Sequence, residues 1–134
     1  MTYPIAAIGL DADETKKLKA LRIRTAERLL EAAKNPQGRR DLAAKTSISE
    51  KRLLGLANTA DRMRIKGMGK EYAAILQQVG VDTVRELKYR NPERLAKAIA
   101  ELNKKRKLVR FLPSVALVTR WVEHAKKLPL KITY

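Results

Sequence analysis

Apolar side chains recur at intervals of three and four along almost the whole chain, and that spacing leaves little besides α-helix as a fold. Leu18 and Leu21 are followed by Ala26, Leu29, Leu30 and Ala33, then by Leu53, Leu54, Leu56, Ala57 and Ala60. The same rhythm returns in Tyr72, Ala73, Leu76 and Val79, in Leu95, Ala98, Ile99 and Leu102, and in Leu117, Val118, Trp121, Val122 and Ala125. A period of 3.6 places each set on one helix face, which must be buried against a neighbour. No alternation of apolar and polar residues is long enough for a sheet. The tail Leu130-Lys131-Ile132-Thr133-Tyr134, after Pro129, is expected as a short extended arm.

Start signals agree with this spacing. Asp11-x-x-Glu14 and Thr83-x-x-Glu86 have the pattern of capping boxes, and Thr25, Ser49 and Ser114 stand where caps are needed. Asn91-Pro92 puts a cap residue before a proline suited to the first helical position. The expected helices are 11–21, 25–34, 37–45, 49–63, 69–79, 83–90, 92–103 and 114–127. Gly38, Gly67, Gly69 and Gly80 fall at the junctions, whereas Gly55 lies inside a helix and is expected to permit close packing. The fold class expected is all-α, a compact bundle of about eight helices.

The chain has 134 residues, enough for one compact domain or two very small ones. Its net charge is +16, from 30 Lys and Arg against 14 Asp and Glu. Such an excess suits a polyanionic partner, nucleic acid before an acidic membrane surface or an acidic protein. Residues 1–64 carry 14 basic and 8 acidic side chains, residues 65–134 carry 16 and 6, so the second part is the better candidate contact surface. With 45% hydrophobic residues the chain can still build a core. The absence of Cys excludes disulfides, thiolate metal sites and Cys nucleophiles, and suits a reducing cytosol. No apolar run is long enough to span a membrane, and Met1-Thr2-Tyr3-Pro4 lacks the features of a secretory signal. One Trp, one Phe and four Tyr are few for a base-stacking single-strand platform.

The chain also matches itself. At a shift of 58 residues Gly9 falls on Gly67, Leu10 on Met68, Leu18 on Leu76, Leu21 on Val79, Ile23 on Val81, Thr25 on Thr83 and Leu29 on Leu87. Asn35-Pro36 and Asn91-Pro92 align with a two-residue slip. The shared punctuation suggests one domain over 1–134 built by duplication, with halves at roughly 5–62 and 63–127 and a tail at 128–134.

Within the second half, Ile65-Lys66-Gly67-Met68-Gly69-Lys70 opens the amphipathic run from Glu71 to Val79. Two glycines around an apolar residue allow backbone amides to approach a phosphate closely, and a helix start adds partial positive charge. Lys66, Gly67, Met68, Gly69 and Lys70 are therefore the candidate phosphate-binding residues. Arg85, Lys88 and Arg90, with Lys104, Lys105, Arg106, Lys107 and Arg110, form a candidate basic track extending from them. Arg39-Arg40 is a smaller cluster of the same kind, and Arg22 and Arg24 are possible backbone contacts. The upstream copy, Gly9-Leu10-Asp11-Ala12-Asp13-Glu14, replaces the second glycine by Asp11 and places three carboxylates at its helix start. Those carboxylates satisfy the helix dipole themselves and repel a phosphate, which makes the first hairpin structural or protein-facing.

Nothing else points to chemistry. His124 stands beside Trp121 without a clustered set of metal ligands, and Trp121 belongs to a core stripe. There is no nucleophile elbow, P-loop or metal-binding pair. The expectation is no catalytic residue, no metal and no cofactor.

The residues from Ile65 to Tyr72, continued by Leu76, Gly80-Val81-Asp82-Thr83-Val84-Arg85-Glu86-Leu87 and Asn91-Pro92, resemble the tandem helix-hairpin-helix proteins catalogued as a domain of unknown function. Leu112-Pro113-Ser114 and Trp121-Val122 fit the same pattern, so the resemblance covers nearly the whole chain. The unit is similar to the N-terminal domains of recombinases and to parts of DNA-repair polymerases, with Gly9-Leu10 through Leu29 nearest the recombinase version. The resemblance implies two helix-hairpin-helix halves and non-specific DNA binding, with Gly67, Met68, Gly69 and Lys70 on the phosphate-binding hairpin. Asp11 departs from that pattern. The resulting expectation is a non-catalytic protein that grips the backbone of double-stranded DNA, in the cytoplasm, or on the nucleoid if bacterial, and not in a membrane. The alternatives are an adaptor that docks an acidic protein or uses its acidic first hairpin, and a protein associated with RNA or the ribosome.

Overall fold

Short polar side chains decide where the helices of this chain begin. The computed structural model describes residues 3–134. Among them a 3-10 turn, Ile5–Ile8, precedes eight α-helices: α1 (Ala12–Ala20), α2 (Ala26–Ala33), α3 (Pro36–Thr46), α4 (Glu50–Arg62), α5 (Gly69–Gln78), α6 (Val84–Leu87), α7 (Pro92–Arg106) and α8 (Val115–Lys127). The only pairing of β type among the described residues is an isolated antiparallel bridge between Pro4 and Thr25, so the all-α expectation holds.

Seven of the eight helices start on a side-chain cap. Asp11 and Glu14 form the expected capping box of α1, and Thr83 and Glu86 that of α6. Thr25, Asn35, Asn91 and Ser114 accept backbone N–H groups of α2, α3, α7 and α8, and Ser49 accepts the Arg52 N–H at 3.1 Å at the start of α4. Each such cap satisfies a donor that has no partner within its helix and is worth about 1 kcal/mol. Pro36 and Pro92 follow their Asn caps, where the missing N–H costs nothing. Helix α5 is the exception: its N-cap position is Met68, and no side chain caps it.

Two helices differ in length from expectation. Helix α6 is a single turn, because Tyr89 and Arg90 donate N–H groups to Glu86 and Leu87 in tight 3-10 fashion before the Asn91 cap. Helix α7 runs one turn further than its apolar stripe, to Arg106. Lys104, Lys105 and Arg106 thus occupy a helical last turn, where cations complement the C-terminal dipole. Lys107 ends it in the left-handed region at φ 51°.

The chain divides into two compact units. The first comprises the residues up to Asp61 together with Lys131–Tyr134, the second Arg62–Leu130. In the first, α2 packs on α3 and on the 3-10 turn, and α1 packs on α3. Ile5, Leu18, Leu29, Leu30 and Leu53 are fully buried there. The tail closes this unit. Ile132 is buried, the Thr133 N–H donates to the Lys34 carbonyl, and Lys131 pairs with Glu31. Arg39 is buried as well, and its guanidinium donates to the carbonyls of Ala33 and Thr133. It is therefore a structural fastener for the tail and not part of a surface cluster.

The glycines of α3 and α4 reverse the expected roles. Gly38 lies in α3, and a Cβ there would stand 2.1 Å from the Ala32 carbonyl oxygen, so α2 and α3 meet where only glycine fits. A Cβ at Gly55 would meet open space, so close packing does not explain that glycine.

In the second unit α8 packs against α7 and α6. Trp121 is fully buried and its ring lies 5.2 Å from that of Tyr72, which places it in the core as its spacing predicts. Arg62 is also buried, donating to the carbonyls of Ala73 and Asp82. Among the described residues no helix is long and apolar enough to cross a membrane.

Candidate functional site

The second unit presents the hairpin 66–70 as a shaped backbone. Gly67 and Gly69 have φ of +78° and +64°, the left-handed region that costs an L-residue roughly 1–2 kcal/mol. Cβ atoms at either position would meet nothing within 4 Å. Conformation therefore demands these glycines, and the space beside them is open. Met68 points inward and is buried, which anchors the loop to the core beneath it. Lys66 and Lys70 are exposed on either side.

His124, which nothing in the sequence connects to the hairpin, holds the loop from α8. Its Nδ1 accepts the Lys66 backbone N–H at 3.1 Å. A contact spanning 58 residues leaves no trace in local spacing.

Two clefts meet at Gly67. One, of about 480 Å³, is formed by residues 67–72 and Phe111. The other, of about 420 Å³, is lined by Lys66, Gly67, Leu117, Arg120 and His124. Glu71 shares the first cleft with Lys70, so side-chain charge there is balanced, while the second is lined by Lys66 and Arg120 with no carboxylate.

The candidate basic track is unequal along its length. Arg85 is exposed. Arg90 is half-buried and donates to the Val79 carbonyl, bracing the turn at Gly80. Lys88 lies over the Tyr89 ring. Lys104, Lys105, Arg106 and Lys107 are exposed, with Arg106 bonded to Gln78. Arg110 stands 5.7 Å from the centre of the exposed Phe111 ring. All of these belong to the second unit.

In the first unit the helix start that follows Gly9 is occupied by side chains of that unit. Gly9 is left-handed at φ 87°, but α1 then starts on Asp11, whose Oδ1 accepts the Glu14 N–H at 2.7 Å. Arg52 from α4 pairs with Glu14 at 2.9 Å and donates to the Gly9 carbonyl. That guanidinium bond holds the Glu14 carboxyl below its usual range. Asp13 pairs with Lys17 one turn along. Among the described residues no group of His, Asp and Glu is placed to hold a metal ion.

No solved structure matches the chain. Residues 8–128 match a family described as "Domain of unknown function (DUF4332)", which covers both hairpins and every α-helix, and the chain belongs to that family.

Proposed function

We propose that the protein binds the phosphate backbone of double-stranded DNA without reading its sequence and without catalysis, through the hairpin at residues 66–70. The observation that carries this reading is the bare start of α5: it alone among the eight helices lacks a side-chain cap. Its unsatisfied N–H groups and partial positive charge lie behind two left-handed glycines with open space beside them. Lys66 and Lys70 add full charges, and Arg85 and the cations at the end of α7 extend the positive surface. No side chain among these is set as a base reader, and backbone contacts carry no sequence information. In this reading each unit is a helix-hairpin-helix half, since both follow a left-handed glycine with four helices whose second to fourth start on Thr, Asn and Ser caps. A polyanion-binding protein of this kind would work in the cytoplasm, or on the nucleoid if bacterial. The first hairpin supports an adaptor role less well, because Asp11 and Glu14 are engaged within their own unit.

The test is a duplex-DNA titration across a salt series for the wild type and a Lys66→Ala/Lys70→Ala variant. Binding should weaken steeply with salt, and the variant should lose roughly two from the slope of log affinity against log salt, about one per phosphate contact removed. An unchanged slope in the variant would assign binding to diffuse charge, and no binding at low salt would sink the DNA reading. Stronger competition by duplex RNA than by duplex DNA would favour the ribosomal alternative.

A further inference from the structure

The loop after α7 sets apolar side chains in water on a backbone that is firmly held. Val109 exchanges two hydrogen bonds with the Asn103 side chain, at 2.9 and 3.1 Å. The Tyr72 hydroxyl donates to the Phe111 carbonyl at 3.0 Å, and Pro113 is buried before the Ser114 cap. Between these fixings the Phe111 side chain projects outward, the residue being 72% exposed. Phe111 also forms one wall of the cleft whose other wall is the hairpin at residues 67–72.

We infer that this cleft accommodates an unpaired nucleobase stacked on Phe111, so that the preferred ligand is DNA with a single-stranded gap or a displaced base beside duplex. The inference rests on the backbone-binding reading above and names the substrate class of the same site. Two observations on the cleft favour a base over a protein partner. Its charged side chains are one cation, Lys70, and one anion, Glu71, which suits the mixed donors and acceptors of a base edge better than a second phosphate. Its surroundings are cationic: Arg110 lies against the ring, and the run from Lys104 to Lys107 precedes it closely in the chain. A phosphate held at the hairpin would thus deliver its own nucleotide to the aromatic wall. A phenyl face accepts any base, which keeps recognition independent of sequence. In intact duplex both faces of each base are covered by neighbours, and exposing one requires unstacking, whereas a gap offers one free.

The experiment compares anisotropy titrations of a fully paired duplex and the same duplex carrying a short single-stranded gap, for wild type, Phe111→Ala and Phe111→Trp. Wild type should bind the gapped DNA roughly tenfold tighter, in line with one stacked base. Phe111→Ala should remove that preference while leaving duplex affinity and its salt slope unchanged, and Phe111→Trp should keep it. Because the ring is exposed, helical content and melting temperature should not move. Equal wild-type affinity for the two DNAs, with salt-dependent duplex binding intact, would overturn this inference alone. So would a preference that survives Phe111→Ala, which would leave the ring to a protein partner. Failure to bind either DNA would overturn the backbone reading and this one together.

Discussion

The two hairpins begin alike and end differently. Each turns on a left-handed glycine, Gly9 or Gly67, and each leads into a helix of nine or ten residues. At the first, Asp11, Glu14 and Arg52 occupy the helix start with a capping box and an ion pair. At the second, a further glycine and a buried Met68 leave the amides without a side-chain cap and two lysines beside them. A carboxylate therefore caps the helix start after Gly9, whereas the helix start after Gly67 carries no side-chain cap and is the place proposed for a phosphate. A single position carries much of that difference: at the shift of 58 residues Asp11 corresponds to Gly69.

Exchanging those residues tests the comparison most severely. Gly69→Asp places a carboxylate where a phosphate is proposed to sit, and like charges opposed in this way cost several kcal/mol, so duplex affinity should fall at least roughly tenfold. Asp11→Gly should bring no gain in affinity, because Glu14 and Arg52 remain engaged, and should cost only a few tenths of a kcal/mol as cap loss. Titration of both variants beside wild type decides this. A gain of binding in Asp11→Gly would show that the first hairpin is silenced by that one side chain.

A second contrast, read in stability and not in binding, separates two glycines within the first unit. Gly38→Ala would press a methyl against the Ala32 carbonyl oxygen and should destabilise by about 3 kcal/mol. Gly55→Ala meets open space inside a helix and should stabilise by up to about 1 kcal/mol. Urea unfolding of the two variants should move in opposite directions, and parallel shifts would contradict the packing described.

The smallest effect concerns the tail of the first unit. Bonds from Lys131 and then Lys34 hold the Glu31 carboxyl down from 4.5 to about 2. A depressed carboxyl pKa means that the folded form binds its proton less readily than the unfolded chain. Its stabilisation is therefore present above 4.5 and is lost as pH falls towards 2. Because Glu31 is half exposed, the contribution should stay under about 1 kcal/mol and shrink with added salt. Lys131→Ala should flatten part of this acid dependence in unfolding measurements made at low ionic strength. An identical pH profile in that variant would remove the tail pair from the account.

What was legible in the sequence was local. Capping at Asp11, Thr25, Ser49, Thr83, Asn91 and Ser114 involves residues two or three apart, and the apolar stripes repeat within one or two turns, so the chain announces its helices directly. The left-handed glycines of the second hairpin belong to the same class, since backbone strain is decided by the residue itself. Local spacing thus sets the helices and most of their starts, whereas the Asn35 cap of α3 and the uncapped start of α5 are seen only in the fold.

Tertiary structure decided which polar groups are spent on the fold. Arg39 reads as surface charge until a carbonyl 94 residues away takes its guanidinium. His124 reads as a bystander until it receives the Lys66 N–H, and Phe111 reads as a single aromatic until the loop around it is pinned. Gly38 and Gly55 are indistinguishable by type, and only the atoms beside them assign close packing to one and open space to the other. The physical reason is common to all four cases. A hydrogen bond or a steric limit depends on atoms brought together by the whole fold, and spacing along the chain encodes only neighbours that one helix already brings together.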